Sequence, residues 1–343
     1  MTDQREGMVS VCLPVRNEER YLAECLDALL RQDCAPDDYE IVVADGRSTD
    51  LTPDILRRYA ASSPVPLSVV DNPGVGVASG RNAAIRAARG EYIAFVEGHA
   101  VVPPGFVRDV RRLFADTGAL CLGRCVMQDI AGDTPFQRAT GRVRASRIGR
   151  NPHSLRFGRR LEGWVDPTTV ATVYRREVFA RFGLFDESFT TNEDVEFNWR
   201  LAQAGVKAYQ SPALTYQLHP RATWLGLLRQ MYRYGHGKAR FIRKHPRAMR
   251  LAYAAPTLLL LAAAGLTAAT FWRPWAGLPL LLGAALGTLT SGGRISPRAL
   301  AVRAGMVVGF GAGFVSGATC SARSVAPGRA PRARDGLEVG RRV

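Results

Sequence analysis

Residues 9–50, VSVCLPVRNEERYLAECLDALLRQDCAPDDYEIVVADGRSTD, decide how the rest of the chain is read. VSVCLPV (9–15) is a short apolar run of the kind a buried strand shows, and RYLAECLDALLRQ (20–32) carries its apolar residues at helical spacing. YEIVVAD (39–45) is a second strand. Thr49–Asp50 and Thr52–Pro53 open a helix that runs through Tyr59. Outward from there the alternation continues, with LSVVD (67–71) as a third strand, Ser79 to Arg89 as a helix and EYIAFVE (91–97) as a fourth strand. Such alternation predicts an α/β fold with a mostly parallel sheet flanked by helices. Ligands of such sheets bind beyond the carboxyl ends of the strands.

Those ends are acidic. The first strand runs into Pro14-Val15-Arg16-Asn17-Glu18-Glu19, the second into Asp45-Gly46-Arg47-Ser48-Thr49-Asp50 and the fourth into Glu97-Gly98-His99. Each has a plain local explanation, because Asn17 or Glu18 can cap a helix and Ser48–Asp50 makes a capping turn. Together they form an edge that suits recognition of a base and ribose by carboxylates, with a metal to hold a diphosphate. Gly74-x-Gly76-x-x-x-Gly80 follows the third strand, not the first, and misses the dinucleotide-binding spacing. No GxxxxGK(S/T) occurs, so a P-loop is excluded. Farther on, GLFDESFTTNEDVEFNWRLAQAG (183–205) puts Glu193, Asp194 and Glu196 at the start of a helix in which Asp194, Phe197, Leu201 and Ala204 keep helical steps. Glu196 and Arg200 are spaced to pair on one face. Ordinary capping by acids explains this cluster as well as a catalytic role does.

The charge of the 343-residue chain is unevenly placed. Residues 1–220 hold 27 Lys and Arg against 28 Asp and Glu, whereas residues 221–343 hold 19 against 2. The basic part is interleaved with apolar runs, which points to an anionic membrane and away from nucleic acid. Residues 251–272, 274–293 and 304–322 are uncharged stretches of 22, 20 and 19 positions, and about 20 helical residues cross a bilayer core. The first is the strongest span; the third, rich in glycine, reads as a tight span or a re-entrant segment. Arg229, Arg233, Lys238, Arg240, Arg243, Lys244, Arg247 and Arg250 place residues 229–250 on the cytosolic side. The basic tail also favours the cytosol, yet three full spans would put it outside. WLGLLRQMYRYGHGKARFIRKH (224–245) reads as an interfacial helix or as simple positive flanking. Six cysteines without a Cys-x-x-Cys pair, and no signal peptide at MTDQREG, fit a reducing, cytosolic setting for the globular part.

PVRNEE, ADGRSTD, SGRNAAIRAARGEYIAFVEGHA and GLFDESFTTNEDVEFNWRL, in this order, resemble family 2 glycosyltransferases of the GT-A fold over residues 8–245. They look most like the membrane-attached glucosyltransferases of succinoglycan and related exopolysaccharide synthesis. The resemblance implies that Pro14, Asn17 and Glu18 line a nucleotide site, that Asp45 meets the base and that Asp50 closes the turn after it. It implies that Arg81 and Asn82 meet the ribose or diphosphate, and that Glu97 and His99 stand where the family keeps its DxD metal motif. Mn²⁺ or Mg²⁺ is therefore the implied cofactor. Asp194, within Glu193-Asp194, is the implied catalytic base. Gln230 and Arg233 look like a QxxRW variant near acceptor and diphosphate.

The implied organisation is a cytosolic GT-A domain (1–220), basic amphipathic interfacial helices (221–250), two or three transmembrane helices (251–322) and a basic disordered tail (323–343). The implied reaction is inverting transfer from a nucleotide-diphosphate sugar, UDP-linked, to a lipid-linked saccharide at the inner face of the cell membrane, Trp164, Asp166 and Thr168 being candidates for the acceptor or sugar wall. Charging of polyprenyl phosphate itself, or a silent nucleotide-binding subunit, are the competing readings.

Overall fold

β1 (Arg5–Val15) is buried from Met8 to Leu13. Its side chains alternate between two cores: Val9, Val11, Leu13 and Val15 pack into one and Cys12 into the other. β2 (Tyr39–Asp45) divides in the same way, Ile41 and Val43 against Val42 and Ala44. A strand buried on both faces needs an apolar run and helices on both sides. On one side lie α1 (Leu22–Leu30), α2 (Thr52–Ser62) and α4 (Phe106–Thr117). On the other lie α3 (Val77–Ala87), α6 (Glu177–Phe182) and α7 (Glu193–Gln203). The computed structural model describes residues 5–127, 134–146, 155, 161–273, 275 and 296–319.

The main sheet is completed by β3 (Leu67–Asp71), β4 (Gly90–Phe95), β6 (Cys121–Gly123), β8 (Gly163–Val165), β9 (Ala171–Arg175) and β10 (Ala208–Gln210). Its order is β3-β2-β1-β4-β9-β6-β10-β8. β9 runs antiparallel to β4 and β6, and β8 antiparallel to β10; the other pairings are parallel. The mostly parallel α/β reading therefore holds, with β2 and β3 matching the sequence-predicted strands to the residue. A second sheet, in the order β5-β11-β7, joins β5 (Ala100–Val101), β11 (Tyr216–Leu218) and β7 (Val126–Met127). Register places Val15 beside Asp45 and Asp45 beside Asp71, so the strand ends share one edge.

Beneath that edge Phe95, Tyr174, Phe179, Phe185 and Phe197 form an aromatic cluster, with Phe185–Phe197 centroids 4.8 Å apart and Phe179–Phe197 5.2 Å apart. Each such pair contributes about 0.5–1.5 kcal/mol beyond its buried area. Cys12, Cys25, Cys121 and Cys125 are buried and form no disulfide among the described residues. Burial pushes the Cys25 and Cys121 thiols up to about 12.

Three long helices follow: α8 (Trp224–Lys244), α9 (Leu251–Thr270) and α10 (Pro297–Thr319). Two of them, α9 and α10, are long and apolar enough to cross a membrane. α9 exposes Leu258, Leu259 and Leu261 by about three-fifths each among the described residues, an apolar surface of the kind that marks a protein or membrane interface. The second apolar stretch, 274–293, lies outside the described residues except for residue 275, as does the 323–343 tail. The third is a continuous helix over its described part, not a re-entrant loop.

α10 sits against α8 through glycines four residues apart. A methyl on Gly309 would stand 2.7 Å from the Leu228 carbonyl, one on Gly317 2.5 Å from the His236 carbonyl, and one on Gly313 would collide with the Tyr232 carbonyl. Small residues in this repeat let two helix backbones approach closely. Val302 and Leu227 also share a core with Val143 of α5 (Pro135–Ala145), so α10 is tied to the globular part. Gly265 on α9 faces open space. Gly313→Ala is expected to lower stability by about 1–3 kcal/mol through overpacking, while Gly265→Ala leaves it unchanged or raises it through better helix propensity. Thermal unfolding of the detergent-solubilised protein checks both.

Candidate active site

Hydrogen bonds lace the ends of β1 and β2 together. Asn17, at φ +53°, accepts at Oδ1 from the Thr49 N–H (2.8 Å), and its own N–H donates to Ser48 Oγ (2.9 Å). The Glu18 N–H donates to Thr52 Oγ1 (2.9 Å) and the Glu19 N–H to Asp50 Oδ2 (3.2 Å). Burial alone would raise the Asp50 carboxyl, but hydrogen bonds from Thr52 and the Glu19 N–H outweigh it and hold it below its ordinary value. Asp50 and Asn17 thus brace the loop. Half-buried Asp45 accepts the Ser48 hydroxyl at 2.6 Å and lines a cavity of about 360 Å³ with Pro53, Leu56, Arg57, Ala60 and Val69. Pro14 stands behind this edge, 3.0 Å from where a side chain on Gly80 would begin. Arg47 (φ +55°) and Val75 (φ +62°) share the left-handed conformation, which is costly for a β-branched residue and tends to cluster at functional mouths.

At the end of β4, Glu97 accepts from Arg124 Nη2 (3.2 Å) and the Tyr216 hydroxyl (3.2 Å). The Arg124 guanidinium lies 4.2 Å over the Tyr216 ring, and its Nε donates to Thr172 Oγ1 at 2.7 Å. Arg124 Nη1 is buried and has no hydrogen-bond partner among the described residues. His99 Nδ1 lies 3.1 Å from Glu18 Oε1. A carboxylate that takes the Nδ1 proton fixes the tautomer and leaves Nε2 as a lone-pair donor, the arrangement behind most metal-bound histidines. Glu97 and His99 can thus offer a divalent ion one carboxylate and one imidazole. Among the described residues no group of three or more such side chains converges, so further ligands would have to come from a bound phosphate or water.

Arg81 of α3 is nine-tenths buried between the Phe95 and Phe185 rings, 5.1 Å from each centroid, with Nη1 3.4 Å from Glu193 Oε1. Burial disfavours its charge, but Glu193 and then Asp194 more than offset that and keep it firmly protonated; Glu97 acts in the same sense. Asn82 is corrected by the structure. Its amide donates to the Phe185 carbonyl (2.9 Å) and Glu187 Oε1 (2.8 Å), and its oxygen accepts the Phe185 N–H (3.0 Å). At 1% exposure it holds the loop before α7 and presents nothing to a ligand.

The three acids at the start of α7 have different fates. Glu193 pairs with Arg81. Glu196, fully buried, meets Arg200 (3.1 Å), Lys244 (2.7 Å) and His245 (3.2 Å). Burial pushes its carboxyl up, yet Lys244 and Arg200 prevail and hold it low. Half-buried Asp194 has no salt bridge among the described residues. The segment ahead of it is docked on α8: the Thr191 hydroxyl donates to the Arg233 carbonyl (2.8 Å) and the Asn192 amide to the Tyr234 carbonyl (3.2 Å). Gly237 lets this happen, since a methyl there would strike the Thr191 carbonyl.

Gln230 bonds Arg144 Nη2 (2.8 Å) and the Tyr234 hydroxyl (3.3 Å), so its amide serves helix packing. The Arg233 side chain is exposed, and its carbonyl is what touches the site. Trp164 is half exposed, edge-on to Tyr209, and Asp166 Oδ1 caps the turn at Thr168. The 167–169 turn packs on α7. Three residues escaped the sequence reading. Arg124 and Tyr216 have no local signal, because they reach Glu97 only through the fold. Lys238 was counted among surface cations, yet it is 7% exposed, with Nζ 4.6 Å over the Tyr253 ring and 5.1 Å over Phe241. Its neighbours Gly235, Gly237 and Ala239 mark a buried face.

The family model for glycosyl transferase family 2 matches residues 10–183. The succinoglycan biosynthesis protein ExoA of Rhizobium meliloti is 32% identical over 241 residues, 70% of this chain and 71% of that one. A dolichyl N-acetyl-alpha-D-glucosaminyl phosphate 3-beta-D-2,3-diacetamido-2,3-dideoxy-beta-D-glucuronosyltransferase of Methanococcus voltae is 25% identical over 244 residues, 69% and 75% of the two chains. The mannosyltransferase PcManGT from Pyrobaculum calidifontis, solved with GDP-Man and Mn²⁺, superposes with a TM-score of 0.64 at 23% identity over 92% of this chain and 88% of that one; that likeness speaks to the fold. The chain belongs to glycosyl transferase family 2 and is a glycosyltransferase.

Burial pushes the Lys238 ammonium down to about 8; Asp194 partly restores it and Arg250 lowers it further. The unfolded chain therefore holds this proton more tightly than the folded one. The resulting penalty is full below about pH 8 and fades as pH rises toward the ordinary lysine value. A shift of this size is worth about 3 kcal/mol. Lys238→Met is expected to unfold at a higher temperature than the wild type near pH 7, with the gap closing by about pH 10. A less stable variant at neutral pH would contradict this.

Proposed function

We propose that this enzyme is an inverting transferase that moves a sugar from a nucleotide-diphosphate sugar, UDP-linked, to a hydroxyl of a saccharide carried on a membrane lipid. The reaction belongs to polysaccharide synthesis at the cytoplasmic face of the inner membrane. The observation that carries the reading is the division of labour among Glu193, Asp194 and Glu196. Two are consumed by cations, and Asp194 is left half-buried without a salt bridge among the described residues. It is electrostatically coupled, through Arg81, to the Glu97 edge. Naming of two relatives for succinoglycan synthesis and for a dolichyl-linked phosphosugar acceptor supports the substrate classes.

In this reading Asp45, beside its cavity, faces the base, with Pro14, Asn17, Glu18 and Asp50 shaping the loop around it. Arg81 and Arg124 supply positive charge toward the diphosphate, and Arg124 Nη1 is a buried donor that an anion would satisfy. Asn82 keeps a positioning role, as do Glu193 through Arg81 and Gln230 through α8. Arg233 presents its exposed guanidinium at the acceptor side. Glu97 and His99 would hold Mn²⁺ or Mg²⁺, with Glu18 orienting the imidazole, and such an ion offsets charge that develops on a departing diphosphate. Asp194 takes the proton from the acceptor hydroxyl as its oxygen bonds to C1 from the face opposite the diphosphate. The C1–oxygen bond breaks, the nucleoside diphosphate departs with both electrons, and the configuration at C1 inverts.

A base of this kind is needed for a sugar hydroxyl. A lipid monophosphate is already ionised and needs none, so the unpaired Asp194 favours the saccharide acceptor over direct charging of polyprenyl phosphate. We assign residues 1–220 to the catalytic domain, 221–250 to the membrane interface, 251–322 to the spanning region and 323–343 to a basic tail. The exposed leucines of α9 and its basic flank support that placement. Asp194→Asn is expected to cut transfer by roughly 10²–10⁴-fold, the usual worth of a general base, while UDP affinity stays within about twofold. UDP release with membrane acceptor and a UDP-binding titration measure the two; unreduced transfer would overturn the assignment of the base.

A further inference from the structure

Asp194 is the meeting point of two sets of charges. Arg81 is influenced by Glu193, Asp194 and Glu97, which belong to the strand-end side. Lys238 is influenced by Asp194 and Arg250, which belong to the helical side. Lys238 is more than nine-tenths buried, and neither it nor half-buried Arg250 forms a salt bridge among the described residues. The Lys238 ammonium is packed over Tyr253 and Phe241, which stabilise its charge only in part. Tyr253 opens α9 and lies within electrostatic reach of Arg250 and Asp166. The groups facing Lys238 are thus Asp194 from α7, Arg250 and Tyr253 from the start of α9, and Phe241 from its own helix. Lys238 Nζ lies 4.6 Å from the Tyr253 ring, and the Tyr253 N–H donates to the Arg250 carbonyl at 2.9 Å, so both cations stand at one turn; a buried ammonium without a carboxylate or phosphate partner among the described residues is costly.

We propose that Lys238 and Arg250, beneath Tyr253, form a phosphate-binding subsite that takes the phosphate of the lipid-linked acceptor. This rests on the transferase reading and deepens it. A phosphate could also come from the nucleotide donor, and the UDP arm of the test below separates the two sources. Arg250 and Tyr253 stand where α9, the helix with the exposed leucines, leaves the globular part. An acceptor anchored in lipid would reach this point first, and a phosphate seated there would leave the attached sugar reaching toward Asp194. The anion would also complete the charge balance that the protein leaves open.

The test uses the full chain in detergent and four probes: farnesyl diphosphate, inorganic pyrophosphate, farnesol and UDP. Wild type is expected to bind farnesyl diphosphate well and farnesol at least tenfold more weakly, with pyrophosphate competing. Lys238→Met and Arg250→Gln should each weaken farnesyl diphosphate binding at least tenfold, and Lys238→Arg should keep most of it. UDP affinity should stay within about twofold in all three, which also reports that they are folded. The subsite is overturned if Lys238→Met binds farnesyl diphosphate as wild type does, or if farnesol binds equally well. It is also overturned if UDP affinity falls in step, which would place Lys238 on the donor. UDP binding without farnesyl diphosphate binding sinks the subsite alone. Farnesyl diphosphate binding without UDP binding keeps the subsite and sinks the reading of a UDP-linked donor.

Discussion

Two hydrogen bonds, from the Thr191 hydroxyl to the Arg233 carbonyl and from the Asn192 amide to the Tyr234 carbonyl, fix where α7 begins and hence where Asp194 points. They join the globular sheet domain to α8, and they exist because Gly237 has no side chain to keep the two backbones apart. α8 is in turn clamped by the glycine stripe of α10. Lys244 and His245, at its far end, hold Glu196 one turn into α7. The start of α7 is therefore gripped at both ends by the same long helix. A candidate base and the long helices α8 and α10 become one mechanical unit, as positioning of two substrates requires.

The electrostatics follow from that frame. Acids crowd the site, but most are neutralised in place: Glu193 by Arg81, Glu97 by Arg124, Glu196 by three cations. Asp194 alone of its trio forms no salt bridge among the described residues, while Lys238, on which it acts, is packed over two aromatic rings. The arrangement costs stability, since a buried lysine and an unsatisfied arginine N–H both lose hydration without full compensation. Such costs concentrate at functional sites.

Much of the fold was legible in the sequence. β2 announces itself because a strand buried on both faces is an uninterrupted apolar run bounded by polar turns, and β3, at the sheet edge and largely exposed, is marked by its β-branched pair Val69–Val70 between turn residues. The candidate site was legible to the extent that chemistry sits at element ends: Asp45 and Glu97 were marked by the ends of strands and Asp194 by the start of a helix. Asn82 was misread because its place in Arg81-Asn82 says nothing about which way it turns; the aromatic cluster below draws the loop at Phe185 onto it. Arg124 and Tyr216 were invisible for the same reason, since Glu97 lies far away in sequence, whereas Lys238 was read only as one of the basic residues of 229–250, because its burial depends on how α8 packs. The glycine-rich stretch of α10 was noticed as composition, but its use depends on α8, which lies about eighty residues earlier in the chain.

The central claim is that the Asp194 site hands an activated sugar to a molecule embedded in lipid. The most direct measurement supplies the purified chain with a panel of UDP-sugars labelled in the sugar, together with native membrane lipids. Water-soluble and organic-soluble label are then separated. Label from at least one donor passing into the organic phase, in the inverted anomeric configuration, is the result expected. Label that stays in the aqueous phase for every donor, from protein that binds UDP, would contradict it.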